Sequence, residues 1–425
     1  MRGMKNKERI MLISATLASI LWLSGACDKT DNSFGKNRWQ TAGGRGENEK
    51  EESNDTTIYV SGVAFPDGYD WKRDTLHGEI DCRLVLLRNG KRIVDLPARL
   101  DRQVSSDPDM HRIVDGHLYT EFSSDSVTLI GKDGRTLFSY RGREMISGLM
   151  VRPDGVYTLG SDRDGNGFSY RKDGQVIMKK DTGIVYGGMY GISRPTGALY
   201  EENGHLYFTY YTVFRSAGRT IRHYYTVEDA NETEIEFPMK SVGLYDIQVI
   251  KDELYFLLNR YSDFSTLALV CGKDYKDIVP NSVASASNAR IVADGTVIYV
   301  VSDLVSKNSR HYYTSVWRED EGEKTFPGKT EILIANGTVC AMEKNADGKV
   351  RKASCGDKSF SIEGDYALMT RNCAAYSGGR LFLALTPSEI GKSPVLWFNG
   401  IGKEISEIKN GFVTGVSVVL PRNGS

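Results

Sequence analysis

The stretch Phe168–Lys180, FSYRKDGQVIMKK, contains two β-rich runs joined by an Asp-Gly pair. Asp-Gly between two such runs is one of the strongest short-range signals of a hairpin, because both turn residues tolerate a positive φ. Close relatives of this hairpin begin at Val127 (VTLIGKDGRTLFSY), Arg83 (RLVLLRNGKRIVDL) and Pro394 (PVLWFNGIGKEISEI). A hairpin that returns several times along a chain of 425 residues indicates an internal repeat.

A second marker, a turn followed by a short β-rich run such as DGHLYTEF or DGTVIYVVS, stands before each hairpin. An early copy, TIYVSGVAF, begins at Thr57. Successive later copies are 38 to 50 residues apart. This period is typical of a propeller blade. The later copies align on Tyr119, Tyr157, Tyr207, Tyr255, Tyr299, Cys340 and Phe382.

The repeat unit contains four short strands, because another β-rich run precedes each marker, as SGLMV does at Ser147. Helical periodicity is nearly absent. A stack of four-stranded sheets protects its edges when it closes into a ring. We therefore predict an all-β fold: a single β-propeller over residues 57–425.

Counting the units gives eight blades, and seven is the alternative if two units merge. The first unit lacks a preceding strand, whereas the C-terminal run GFVTGVSVVL, from Gly411, is left over. We predict that this last run completes the first blade and joins the two ends of the ring.

The N-terminus carries an export signal. A basic start is followed by the apolar run IMLISATLASILWL and by LSGAC, which ends at Cys27. LSGAC resembles the bacterial lipobox, although Ser24 stands where that motif usually has Leu; an ordinary signal-peptidase site is the alternative. We predict a lipoprotein signal peptide over residues 1–26, a lipid on Cys27 and a polar, disordered tether over residues 27–56. The mature protein would be exported as an outer-membrane lipoprotein, periplasmic or on the cell surface.

The charge pattern argues against nucleic acid as a partner. The chain has 54 basic and 55 acidic residues, dispersed without a basic stripe. The six histidines include pairs at repeated positions, such as His117 and His205 in GHLY, and no spacing suggests zinc. There is no phosphate loop and no Gly-x-Ser-x-Gly elbow, so we expect no cofactor.

One short segment is a weak calcium candidate. In SDRDGNG, the residues Asp162, Asp164 and Asn166 match the opening of a calcium loop. The twelfth position falls on Asp173, beyond an intervening strand, and the ninth on Tyr170, which is a poor ligand. A tight connection between strands is therefore the favoured interpretation, and we predict no metal site.

Two cysteines are candidates for a disulfide. Cys340 and Cys355 lie in the two arms of one predicted hairpin, so they would face each other across it. Packed free thiols are the alternative, and Cys373 is another candidate partner.

The longest insertion, PDGYDWKRDTLHGEID over residues 66–81, is the first candidate binding surface. Long loops on a rigid scaffold often carry binding residues. Tyr69, Trp71, Arg73 and His77 combine aromatic rings with charged donors, as a sugar or peptide surface does. The alternative is that Trp71 fixes the loop to its own blade.

The repeat resembles one that is common in exported proteins of the Bacteroidota, with the pattern h-Y-V-A-G … Y-W-K-N-G … L, where h is apolar. IYVSG at Ile58, LVLLRNG at Leu84 and PVLWFNGIGKEISEIKNGFVTGVSVV at Pro394 carry the resemblance, while the middle units have drifted. It implies a lipid-anchored β-propeller whose family function is unassigned, and it transfers no catalytic residue.

Together these observations predict a cell-envelope β-propeller that binds or scaffolds a glycan or protein partner. The first alternative is an envelope glycan-cleaving enzyme, a hydrolase or lyase, with carboxylates from different blades lining the central channel. The second is a ring with a purely structural role.

Overall fold

A computed structural model describes residues 56–420, apart from 73–79, 101–110, 124–126, 143, 163–166, 182–183, 186–187, 193–195, 217–218, 238–241, 252, 261–262, 279–282 and 399. The described residues form eight antiparallel sheets. Each sheet is one blade of a propeller, which confirms the predicted all-β fold and the count of eight.

The first four blades are built as follows. Blade 1 contains β1 (Thr57–Ala64), β2 (Ile80–Arg88), β3 (Lys91–Leu100) and the last strand of the chain, β35 (Gly411–Val419). Blade 2 contains β4 (His111–Val114), β5 (His117–Ser123), β6 (Val127–Lys132) and β7 (Arg135–Arg141). Blade 3 contains β8 (Glu144–Arg152), β9 (Gly155–Asp162), β10 (Gly167–Lys172) and β11 (Gln175–Asp181). Blade 4 contains β12 (Ile184–Val185), β13 (Gly188–Ile192), β14 (Thr196–Glu202), β15 (His205–Ser216), β16 (Arg219–Glu228) and β17 (Asn231–Ile235).

The other four blades follow in chain order. Blade 5 contains β18 (Val242–Ile250), β19 (Glu253–Arg260), β20 (Asp263–Cys271) and β21 (Asp274–Asp277). Blade 6 contains β22 (Val283–Asp294), β23 (Val297–Ser306), β24 (Tyr312–Arg318) and β25 (Gly322–Pro327). Blade 7 contains β26 (Thr330–Ala335), β27 (Thr338–Lys344), β28 (Val350–Cys355) and β29 (Lys358–Ser361). Blade 8 contains β30 (Tyr366–Ala367), β31 (Ala374–Ser377), β32 (Arg380–Pro387), β33 (Val395–Phe398) and β34 (Ile401–Glu404).

Two short 3₁₀ helices, Arg371–Cys373 and Ser406–Ile408, are the helical elements of the described residues. No helix in this part of the chain is long and apolar enough to cross a bilayer.

The blades contact one another around a closed inner circle. One strand from each blade touches its counterpart in the next blade, and the circle returns to its starting point. The inner strands, in order, are β35, β4, β8, β14, β18, β22, β26 and β31.

The two ends of the described chain meet in blade 1. β35 pairs antiparallel with β1 from Thr57↔Val419 to Ala64↔Gly411, with one irregularity after Ser61. The leftover C-terminal run therefore completes the first blade, as predicted. Backbone contact is close at this seam, because a Cβ added to Gly62 would lie 2.6 Å from the carbonyl oxygen of Phe412.

The Asp-Gly turn of the opening hairpin has a second role besides its positive φ. Asp173 and Gly174 have φ values of 50° and 81°, as a type I′ hairpin turn requires. Asp173 lies in the turn between β10 and β11. Its side chain also accepts a hydrogen bond of 2.9 Å from the backbone N–H of Val156 in β9, the neighbouring strand of the same blade. The turn thus holds three strands in register.

The same bond recurs in blades 1, 2 and 4. Asn89 accepts from the N–H of Ile58, and the other two blades use Asp133 and Asp229. The second carboxylate oxygen of Asp133 bonds the imidazole of His117 at 2.7 Å, and Asp229 bonds His205 in the same way. The repeated histidines are therefore part of the repeated turn.

The core lies between adjacent blades, in seams filled by alternating strand residues. Between blades 3 and 4, the rings of Phe168, Tyr170, Phe208 and Tyr210 pack with centroids 5.0 to 5.6 Å apart. Rings at these distances attract each other beyond the area that they bury. Each blade therefore needs both neighbours in order to bury its two faces.

Phe412→Ala tests the closing seam. The Phe412 ring is 2% exposed and contacts Trp71 and Phe65. We expect the free energy of unfolding to fall by about 3–5 kcal/mol in urea denaturation. The matched control Ile401→Ala, on the outer strand β34 and 60% exposed, should change it by less than about 0.5 kcal/mol. Equal losses from the two variants would contradict a closing core around Phe412.

Candidate functional site

Three consecutive blades place a charged residue at the same position of their inner strand. Asp246 lies in β18, Arg290 in β22 and Glu331 in β26, each nine residues before the marker residue of its blade. The equivalent residues of blades 3 and 8 are Gly148 and Cys373. Blades 5 to 7 therefore differ from blades 3 and 8 at a position close to the axis of the ring.

Asp246 connects blade 5 to blade 6. One carboxylate oxygen accepts from the backbone N–H of Ile247 at 2.9 Å, and the other from the N–H of Ile291 in blade 6 at 2.8 Å. Burial raises the pKa of Asp246 to about 6, against the lowering influence of those two N–H groups and of Arg290 and Arg371. The carboxyl is therefore a buried link that changes charge in mildly acidic solution.

Arg290 connects blade 6 to blade 7. Its guanidinium donates to the backbone carbonyl of Ile332 at 2.7 Å and lies 3.6 Å from the carboxylate of Glu331. Burial, followed by repulsion from Arg371, lowers the pKa of Arg290 to about 10. Glu331, Asp246 and, to a smaller extent, Asp303 act in the opposite direction. The guanidinium stays charged at neutral pH.

Glu331 lies among three cations. Arg290 approaches its carboxylate at 3.6 Å, Lys344 at 3.6 Å and Arg371, from the 3₁₀ helix of blade 8, at 3.5 Å. The side chain of Arg371 is 53% exposed, whereas that of Arg290 is 17% exposed. We call Asp246, Arg290, Glu331, Lys344 and Arg371 the inner cluster.

The inner cluster joins four blades and reaches solvent through Arg371. Its three contacts to Glu331 are longer than the 2.7–2.9 Å that is typical of charge-assisted hydrogen bonds. The cations therefore hold donor capacity that Glu331 alone does not use.

Blade 2 adds another arginine to the inner circle. Arg112 lies in β4 and is half-buried, and burial lowers its pKa, with Tyr200 of blade 4 acting in the opposite direction. No carboxylate pairs with Arg112 among the residues that the structure describes.

The predicted binding loop is fixed to the closing seam where the structure describes it. The Trp71 ring lies 5.1 Å from that of Phe412, and the carbonyl of Tyr69 accepts from Asn410 at 3.1 Å. Lys72 donates to the carbonyl of Pro387 at 2.6 Å. These contacts agree with the alternative interpretation, in which Trp71 fixes the loop to its own blade. A ligand role for Tyr69 and Trp71 stays a prediction. Arg73 and His77 lie outside the described residues.

The calcium candidate falls largely outside the described chain. The backbone of Asp162 ends β9, while Asp164 and Asn166 are not described. Within the described ranges no group of three or more His, Cys, Asp or Glu side chains could hold a metal ion. Cys27, the predicted lipid site, also lies outside these ranges.

Cys340 and Cys355 are directly opposite each other in β27 and β28 and form a disulfide, with their Cα atoms 4.1 Å apart. The bond closes a hairpin of blade 7. Cys82, Cys271 and Cys373 are thiols outside this disulfide, and Cys373 lies beside the closing strand, where its sulfur contacts the carbonyl of Val413.

The inner cluster is not among the sites predicted from the sequence. A usable signal was present, because the units can be aligned and the residue nine positions before the marker compared between blades. That comparison shows charge in blades 5, 6 and 7, but it does not show that Arg371 and Lys344 join them.

Comparison with solved structures agrees with the fold. The dihydro-heme d1 dehydrogenase NirN, solved in complex with DHE, aligns with 88% of this chain and 77% of its own, at 8% identity and a TM-score of 0.51. BamB from Moraxella catarrhalis aligns with 65% of this chain and 92% of its own, at 8% identity and a TM-score of 0.34. Both are β-propellers, and at this identity the likeness to NirN shows the fold alone. No protein-family profile and no curated protein sequence matches the chain.

Asp246→Asn tests the buried link between blades 5 and 6. A folded-state pKa of about 6, against an ordinary value of 3.8, means that Asp246 stabilises the fold most when it is protonated. Its contribution is complete below about pH 4 and is lost as the pH rises through 6. The stability of wild type relative to the variant should therefore fall by about 2.5 kcal/mol between pH 4 and 7.5, at about 1.4 kcal/mol per pKa unit.

The measurement is urea denaturation of both proteins across this range. Subtracting the variant removes the contributions of all other titrating groups. A difference that does not change with pH would show that Asp246 has an ordinary pKa.

Proposed function

We propose that this protein is a lipid-anchored β-propeller of the bacterial cell envelope that acts as a binding or scaffold module for a glycan or protein partner. The observation that carries the binding role is the inner cluster. Charged side chains from four blades meet on the inner circle, and Arg371 keeps half of its surface open to solvent. Rigid scaffolds with a few convergent polar groups are typical of ligand sites.

The closed ring supports a scaffold role. Eight blades joined by β35 have no open end at which the array could fray, so side chains from separate blades keep fixed relative positions. Such preorganisation lowers the entropy cost of binding. The predicted export signal and lipid anchor would hold this rigid body at a membrane through a flexible tether of about 30 residues, which would span on the order of 30 Å.

A glycan-cleaving enzyme is the second candidate. The inner cluster contains two carboxylates from different blades, Asp246 and Glu331, and the pKa of Asp246, raised to about 6, suits a general acid. Both oxygens of Asp246 accept backbone N–H groups, which ties this carboxyl to a structural role. Binding without cleavage is therefore the leading function.

A glycan and polysaccharide array, with the mature lipidated protein in detergent, tests the binding function. We expect binding without release of cleavage products. Product release would establish the enzyme. Binding to no glycan, together with no envelope protein recovered by crosslinking in cells, would refute the proposed function.

Cys27→Ser tests the anchor. We expect the lipidated wild type to enter the detergent phase on phase separation and to incorporate a fatty-acid label, because a lipidated N-terminus holds the chain on a membrane. The variant should lose the label entirely. Cys271→Ser, which removes a partly exposed thiol of the propeller, is the matched control and should keep it. A label retained by Cys27→Ser would refute lipidation at this residue.

A further inference from the structure

We propose that the inner cluster binds a sugar acid, that is, a glycan end or small saccharide that carries one carboxylate. This inference rests on the proposed binding function and names the chemistry of its ligand. Arg371 and Arg290 would hold the carboxylate, and Glu331 would accept hydrogen bonds from hydroxyl groups of the same sugar.

The first support is donor capacity. Three cations surround Glu331 at 3.5 to 3.6 Å, and none of them makes a short bond to it. Arginine presents several N–H donors in a planar fork that matches a carboxylate in two parallel hydrogen bonds. The exposed guanidinium of Arg371 can form such a pair with an incoming group while Arg290 keeps its bond to the carbonyl of Ile332.

The second support is the charge of the inner circle. Three cations of the inner cluster, Arg290, Lys344 and Arg371, are accompanied by two carboxylates, Asp246 and Glu331, with Asp303 as a more distant third. A partly buried excess of positive charge is unfavourable, and an anionic ligand at the inner cluster would relieve this cost.

The third support is the size and mixed character of the cluster. The charges of the whole chain are balanced and dispersed along the sequence, 54 basic against 55 acidic, without the basic stripe that a polyanion would favour. One compact site with a carboxylate acceptor beside its cations fits a ligand that brings a single anionic group and several hydroxyl donors. A sugar acid has this composition within one ring.

The test measures binding of trisaccharides that end in galacturonate or glucuronate to the mature protein by calorimetry. The probes are compared with their methyl esters, which keep the sugar rings and remove the charge. We expect the acids to bind at least tenfold more tightly than the esters, and their affinity to fall as the salt concentration rises.

Arg371→Gln should weaken binding of the acids at least tenfold. Its side chain is half exposed, so the fold should tolerate the change, and circular dichroism and the melting temperature check this. Arg351→Gln is the matched control, because it removes the same charge from a 44% exposed arginine of blade 7 that pairs with Asp365. Its affinity should equal that of wild type.

Several results would overturn the inference. They are equal affinity for acid and ester, no effect of Arg371→Gln, binding of neither acid trisaccharide, and a preference for inorganic sulfate or for a peptide carboxylate over the sugar acids. If the glycan array shows binding of neutral glycans while the acid–ester comparison and Arg371→Gln show no effect, the assignment of a sugar acid as ligand is wrong and the proposed binding function stands. If no glycan and no envelope protein binds, the proposed function itself fails.

Discussion

The pairing of β35 with β1 is the interaction on which the rest of the structure depends. A row of sheets whose cores lie between neighbours has two unburied ends, and each would expose an apolar blade face to water. Pairing the last strand with the first removes both ends at once, since blade 1 cannot form until the chain has completed the circle. The cost is a contact between residues far apart in sequence, which makes closure a late and slow step of folding.

Within this ring, polar side chains hold strands and blades in place in two ways. The Asx residues of the hairpin turns bond across a blade, from the outer turn to a strand nearer the axis, as Asp173 does to Val156. Asp246 and Arg290 bond between blades, each to the backbone of the next inner strand. The first set fixes the register of the strands. A slip of one residue would move every side chain of a strand to the other face of its sheet. The second set fixes the relative positions of the blades at which the inner cluster forms.

Much of the fold could be predicted because its signals are local. The Asp-Gly and Asn-Gly turns, the alternating strands and the repeat period lie within single units, so the four-stranded blade could be read from a few tens of residues. The closure by Gly411–Val419 followed from counting strands. The candidate site fared differently. Trp71 is a candidate ligand residue in the sequence, and in the structure its ring packs on Phe412. The sequence alone does not separate the two roles, because an aromatic side chain beside a long-range seam looks locally like one in a binding loop.

The sequence by itself determined the repeat, the four-stranded unit and the joining of the two ends, because each of these follows from hydrophobic alternation and turn chemistry along the chain. The structure decided between eight blades and seven. Only the tertiary structure decided which charges meet. Asp246, Arg290, Glu331 and Arg371 are about 40 residues apart from one blade to the next. They become neighbours because the ring brings the inner strands of blades 5 to 7, and the 3₁₀ helix beside the inner strand of blade 8, to one axis. The sequence specifies the type of each side chain. The packing of each blade on the next curves the array into a ring, and the ring brings these side chains together.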